Sequence, residues 1–247
     1  ILIFKPSSAA EAYCKSHGWS VLNPSAKLAG IVEQKLSQLE WLGDLTSLLP
    51  PHERAVLKDV QWNGTPFILQ YNHAHTGKGT YHISSKKELE QLQTLFPLRE
   101  VRTLAYIDGP VFTSNNVVHA TGVLVGNISY QITGIAPFTD LPFATVGNDF
   151  TLPRTILSPS LIESYRTIVF SVGEKLQHEG WRGGFGIDVI ADLKKEKLYL
   201  LEINARQTAS MTYESKLQVK ESAQPHTITM FDTHLAAVLG LDLSKKI

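Results

Sequence analysis

The 247 residues carry 43% hydrophobic and 19% charged side chains, the composition of an ordinary globular protein, which excludes a disordered chain. Lysine plus arginine equals aspartate plus glutamate at 23 each, so no net field draws the molecule to nucleic acid or an anionic membrane, and any phosphate site must be local. The single Cys14 excludes an internal disulfide and a cysteine-based zinc site and points to a reducing compartment, with the cytoplasm expected; no apolar run reaches the roughly 18–20 residues of a membrane span.

The chain starts without Met inside the apolar run Ile1-Leu2-Ile3-Phe4 and is expected to be a piece of a longer protein. A strand over residues 1–4, a helix from the Ser7-Ser8 cap towards His17 and a second strand around residues 19–23 make one β-α-β unit. Two strands make a poor sheet alone, so residues 1–25 read as the end of a preceding domain. Beyond Pro24 a helix carries Leu28, Ile31, Val32, Lys35, Leu36 and Leu39 and stops near Gly43. Strand-like runs follow at residues 56–62, 67–71 and 81–83, then a charged helix from Lys86 to Leu95, making residues 26–97 a first unit with mixed elements.

Residues 98–247 form a second such unit. An antiparallel meander over 101–133 is expected to break at Asp108-Gly109 and Gly126-Asn127, and the Pro- and Gly-rich stretch 135–159 reads as a long functional loop. A long amphipathic helix then aligns Leu161, Ile162, Tyr165, Ile168, Val169, Val172 and Leu176 and ends at Gly180. Strands at 185–192 and 198–204 form a hairpin, and a last helix spans about 226–239. Trp41, Trp62 and Tyr106 are expected in the core.

That hairpin is nearly symmetric about Lys194-Lys195-Glu196. A turn centred on Lys195 sets Asp192 opposite Leu198 and Asp188 opposite Glu202, on one face with Asn204, while Tyr199, Leu201 and Ile203 point the other way. Like charges directly opposed are unfavourable, so a compensating partner is required. Three oxygen donors on one face suit Mg²⁺ held by carboxylates and substrate phosphates; solvated surface acids or a pair sharing a proton are the other readings.

Thr76-Gly77-Lys78-Gly79-Thr80 lies between two strand-like runs. It fits neither a Walker A loop nor a dinucleotide fingerprint, but its glycines would let backbone N–H groups approach phosphate, with Lys78 and Thr80 adding a charge and a donor; an ordinary turn is the other reading. His73 and His75 form an H-x-H with no third zinc ligand evident, so a hydrogen-bonded pair is preferred. Arg182 either binds a substrate carboxylate or caps the preceding helix, and Gly147-Asn148-Asp149-Phe150 either borders an acceptor site or is plain turn chemistry.

From about Ala26 onward the order of these features resembles the ATP-grasp superfamily. Phe185-Gly186-Ile187-Asp188-Val189 followed by Glu202-Ile203-Asn204-Ala205-Arg206 looks like its metal-binding G-x-D and E-[IM]-N-x-R strands. The resemblance implies an α+β fold of two subdomains around a nucleotide cleft, ATP and Mg²⁺ as cofactors, and small-molecule carboxylate and amine substrates joined through an acyl phosphate. It also implies that Asp188, Glu202 and Asn204 bind Mg²⁺ and that Arg206 faces the acyl phosphate. Lys35 resembles the first ATP-binding lysine, Gly77 and Gly79 the phosphate-covering loop, and Leu104, Ala105 and Ile107 the hinge that reads adenine. Two positions depart: Gln70 stands where a second lysine is usual, with Lys78 or His75 expected to supply the missing donor, and Val111 stands where an acid commonly binds ribose. The alternative is a non-catalytic or regulatory nucleotide-binding module. The incomplete first domain leaves room for a homo-oligomer.

Overall fold

Ser7 starts the first helix, its hydroxyl accepting the Ala10 N–H at the head of α1 (Ser8–Ser16) in a computed structural model that describes residues 1–72, 79–224 and 226–241. The two flanking strands expected here do not form and are reduced to two backbone hydrogen bonds. The Ile1 amine donates to the Ser20 carbonyl at 2.6 Å and the Leu22 N–H to the Ile1 carbonyl at 2.9 Å, a parallel pattern. One step on, the Asn23 side chain takes over, accepting from the Ile3 N–H and donating to its carbonyl. A side-chain amide thus ends the ladder that two apolar runs suggested.

The single helix expected after Pro24 is two, α2 (Ala26–Glu33) and α3 (Ser37–Leu42). Polar side chains stitch the break: Ser37 Oγ donates to the Ile31 carbonyl and Gln38 Nε2 to the Val32 carbonyl, both at 2.8 Å, while the Leu36 N–H reaches Asn72 Oδ1 at 2.9 Å. Lys35 sits in that break.

The first sheet, ordered β1-β4-β2-β3, is antiparallel and comprises β1 (His52–Val56), β2 (Phe67–Tyr71), β3 (Thr80–Ile83) and β4 (Glu100–Ala105). The strand expected at 56–62 ends where it was to begin, passing into a 3-10 turn at Leu57–Asp59. Leu69, Tyr71, Ile83 and Val101 pack with Leu57 and with Leu89 of α4 (Lys86–Leu95). Alternation then sends Gln70 and Arg102, direct partners in register, to the other face.

The second sheet, ordered β7-β6-β5-β8-β9, holds β5 (Val111–His119), β6 (Gly122–Thr133), β7 (Thr145–Asp149), β8 (Gly183–Asp192) and β9 (Lys197–Asn204). β4 therefore leaves the expected meander for the other sheet. Gly126-Asn127 does not end a strand but lies in a bulge against Asn115, where a Cβ on Gly126 would come 2.1 Å from the Asn115 carbonyl oxygen. The expected loop contains β7 and a short helix, α5 (Pro153–Ile156).

Helix α6 (Pro159–His178) buries Leu161, Tyr165, Ile168, Val169, Val172 and Leu176 against this sheet, with Ile162 partly buried. Helices α2 and α3 close the same core through Ala29, Val32, Trp41 and Leu42. The C-terminal region adds a helix the sequence did not announce, α7 (Met211–Glu221), before α8 (Met230–Leu239), whose Thr229–Asp232 capping box sets its start. Trp41 is buried and Trp62 partly so, but Tyr106 is 40% exposed and stacks on His82 at 4.3 Å between ring centroids rather than entering the core. Among the described residues, no helix is long and apolar enough to cross a membrane.

Candidate active site

Asp188 of β8 and Glu202 of β9 are direct partners, although not by the register that a turn centred on Lys195 dictates. Asp192 pairs with Lys197 and Ala191 with Leu198, so the strands start one step out of phase. A bulge between Asp188 and Val189, with Leu201 as the extra residue, restores the Asp188–Glu202 pairing. The bulge also resets alternation: Leu198 and Leu200, not Tyr199 and Leu201, join Ile203 in the core.

Two acids on one face require compensation, and it is unequal. Burial would push the Glu202 carboxyl up, but Lys35 in contact and Arg206 and Arg102 nearby hold it below the usual value. Lys35 Nζ lies 3.0 Å from Glu202 Oε1 and the residue is 4% exposed. Asp188 has no such cation among the described residues: burial and the facing Glu202 raise its carboxyl to about 6, against hydrogen bonds from Thr113, Gln131 and Asn204. Thr113 is its partner on β5, and Gln131 reaches it from β6.

Asn204 links the acids to the segment after β9. Its Nδ2 donates to Asp188 Oδ2 at 3.3 Å, and its Oδ1 accepts from Arg206 Nη2 at 2.6 Å. Arg206 Nε is 3.3 Å from Glu33 Oε1 at the end of α2, and Glu33 Oε2 is 2.6 Å from Lys5 Nζ. The segment carrying Arg206 is anchored from below: Ser210 Oγ donates to Asn115 Oδ1 at 3.0 Å, Thr208 donates to the same oxygen, and Asn115 Nδ2 donates to the buried Glu214 at 2.5 Å. The α2–α3 break thus carries Lys35, the end of α2 carries Glu33, and both converge on β9.

The first sheet contributes Gln70, 9% exposed, and Arg102, 0% exposed. Arg102 Nε and Nη2 donate to Gln70 Oε1 at 3.0 and 2.7 Å, and Nη1 donates to Gln38 Oε1 at 3.0 Å. Burial brings this guanidinium down to about 10, with Glu202 drawing it back up. Gly79 accepts the Tyr71 N–H at its carbonyl and has φ of 80°, a conformation suited to glycine. His73, His75, Gly77 and Lys78 lie outside the described residues.

Leu104 and Ala105 end β4, where the Ala105 N–H is taken by the Pro51 carbonyl at 2.8 Å. Among the described residues no hydrogen bond engages the backbone of Ile107. Arg182 is not brought to the cluster: its Nη1 donates to the carbonyl of Trp181 at 2.7 Å, and it precedes β8, about 20 Å along the strand from Asp188. Asn148 donates to Ser129 from β7, and the Asp149 carboxylate caps Thr151 and Leu152.

Arg102, Glu33, Thr113 and Gln131 were missed from the sequence. The available signal was weak: an arginine inside an apolar strand, and polar residues on strands neighbouring an acid that needs donors. Among the described residues no three His, Cys, Asp or Glu gather as a metal cluster, so the oxygen donors here are two carboxylates and one amide.

No protein-family model and no curated protein matches this chain. Solved structures do. It is similar to N5-carboxyaminoimidazole synthetase from Staphylococcus aureus complexed with ADP, with TM-score 0.66 and 17% identity over 96% of this chain and 59% of that one. N5-carboxyaminoimidazole synthase from Aspergillus clavatus, in complex with ADP and 5-aminoimidazole ribonucleotide, matches with TM-score 0.67 and 16% identity over 96% and 58%. The biotin carboxylase–β,γ-ATP complex from Campylobacter jejuni gives TM-score 0.72 and 15% identity over 98% and 55%. The chain therefore has the ATP-grasp fold, of mixed α+β class with two antiparallel sheets, and spans less than two thirds of each of these structures.

Proposed function

We propose that this chain is the nucleotide-binding and catalytic portion of an ATP-dependent ligase, which activates a carboxylate as an acyl phosphate for attack by an amine or similar nucleophile. The observation that carries the reading is the Asp188–Glu202 pair, one face of a hairpin bordered by Lys35, Arg102 and Arg206. The ADP- and ATP-bound state of the similar structures supports a nucleotide site in the same fold.

The donor set fits Mg²⁺. Asp188 and Glu202 offer anionic oxygens; Asn204 now turns its amide nitrogen to Asp188 and its oxygen to Arg206, so it would add a carbonyl oxygen only after an amide flip, and further positions are left for phosphates and water. Bound there, Mg²⁺ would supply the charge neutralisation that phosphoryl transfer needs.

The chain's own cations complete the arrangement. Lys35 and Arg206 now satisfy Glu202 and Asn204 Oδ1, so each is held at the rim of the site and can turn to a phosphate or acyl-phosphate oxygen when those donors are taken by metal. Fixed cations aimed at developing negative charge are the main contribution a protein makes to this chemistry. Glu33 holds Arg206 in place, and Thr113 and Gln131 hold Asp188. The backbone of Ile107, which makes no hydrogen bond among the described residues, is assigned to adenine, with Leu104 and Ala105 leading into it. Arg182 is assigned to the wider substrate surface, away from the reacting phosphate.

The divisions at residues 25 and 97 stay as proposals, with β4 carried over to the first unit because it pairs with β1 and β2, and with α2 and α3 packing into the core of the second sheet. Cys14, buried and unpaired, supports a reducing, cytoplasmic setting. The test is ADP release by the full-length protein supplied with MgATP and pools of carboxylic acids and amines, with Asp188→Asn as the inactive control. Nucleotide binding without turnover in every pool would favour a regulatory module.

A further inference from the structure

Arg102 is a charge buried without a direct counter-ion among the described residues. Its guanidinium is wholly buried, and its three hydrogen bonds among the described residues go to the neutral amide oxygens of Gln70 and Gln38. Among the described residues, none of the ion pairs includes it; the acid acting on it from a distance, Glu202, is already engaged by Lys35 at 3.0 Å. A buried cation held only by amides is unfavourable unless an anion completes its surroundings.

Gln70 shows how such an anion would be met. Arginine can only donate, so the Gln70 atom receiving its two N–H groups is the oxygen, and the amide nitrogen is turned away. Among the described residues that nitrogen has one hydrogen-bond neighbour, Thr80 Oγ1, at the outer limit of 3.5 Å. Gln70 therefore presents a donor and not an acceptor, with a full positive charge directly behind it.

We propose that Gln70 and Arg102 act as one phosphate-recognising unit: the Gln70 amide N–H group contacts an anionic oxygen of the nucleotide, and Arg102 locks the amide in that orientation and supplies the charge. The proposal rests on the nucleotide-binding reading above. Arg102 is a positioning residue here, since buried as it is it cannot itself touch a ligand. When metal engages Glu202, the positive charge of Lys35 and Arg102 is freed from its present balance, which makes the unit most effective towards a metal-bound polyphosphate.

The test compares a ligand with phosphates and one without. In the full-length protein, MgADP binding is measured by calorimetry and adenosine binding by ligand-observed NMR. Gln70→Glu keeps the side-chain shape and turns the grip of Arg102 into an ion pair, so the fold is retained while the donor and the local charge are lost. MgADP affinity is expected to fall about tenfold or more, with adenosine affinity within about twofold of native. The double variant Gln70→Lys/Arg102→Gln, which moves the charge to the surface position, is expected to regain most of the MgADP affinity. Gln70→Glu binding MgADP within about threefold of native, or losing both ligands equally, overturns the unit alone. A native protein that binds neither ligand overturns the nucleotide site and this proposal together.

Discussion

Asp188 and Glu202 face one another across β8 and β9, yet among the described residues only Glu202 has a cation in contact, Lys35 Nζ at 3.0 Å. One carboxylate is held ionised while its neighbour is pushed towards protonation, and the two respond differently to pH and to substitution.

The folded Asp188 carboxyl, at about 6, stands above its ordinary 3.8. A carboxyl raised in this way contributes its full stability below about pH 4 and loses it as pH rises through about 6. Asp188→Asn is therefore expected to raise stability near pH 8 by on the order of 2 kcal/mol, with the gain vanishing near pH 4. Urea unfolding of both proteins across that range checks it; a gain independent of pH would place its cause elsewhere.

Lys35→Met leaves the facing acids without their contact cation. Because the Glu202 side chain is 37% exposed, water offsets part of the loss, and destabilisation of about 1–3 kcal/mol is expected. Adding Glu202→Gln should recover most of it. A double-mutant cycle measures the coupling, and strictly additive losses would show that the pair does not interact as described.

At Gly186 a Cβ would come 2.5 Å from Thr208 Cγ2 and 3.2 Å from Asn204 Cβ. Gly186→Ala is expected to cost about 1–3 kcal/mol and to weaken MgATP binding by displacing Asn204 and the segment carrying Arg206. Gly147→Ala is the comparison, since its Cβ meets only Ile132 Cδ1 at an ordinary 3.6 Å. Calorimetric unfolding and nucleotide titration of the two variants should separate clearly.

Asn115 joins Glu214 to the Arg206 segment by donating to the first and accepting from Thr208 and Ser210. Burial already pushes the Glu214 carboxyl up, against the hydrogen bonds from Asn115 and Asn127. Asn115→Asp replaces the donor with a second acid and is expected to cost about 3 kcal/mol near pH 8. Both carboxyls then have folded values above their unfolded ones, so stability should return as pH falls, which unfolding at about pH 5 tests directly.

The parts of this protein legible in its sequence are those set by local geometry. Strand alternation and a near-symmetric hairpin were enough to bring Asp188, Glu202 and Asn204 to one face, even though the bulge at Leu201 that secures the pairing was not foreseen. The face of α6 followed from its helical period in the same way. What decided the rest was contact between segments far apart in the chain. The break that releases Lys35 depends on Asn72, and the charge behind Gln70 comes from Arg102 on another strand, tied also to Gln38 of α3. Backbone periodicity repeats over a few residues and can be read from them, whereas desolvation and Coulomb energy depend on distance through space. Which cation neutralises which acid was therefore settled only when α2 and the α2–α3 break were packed against β9.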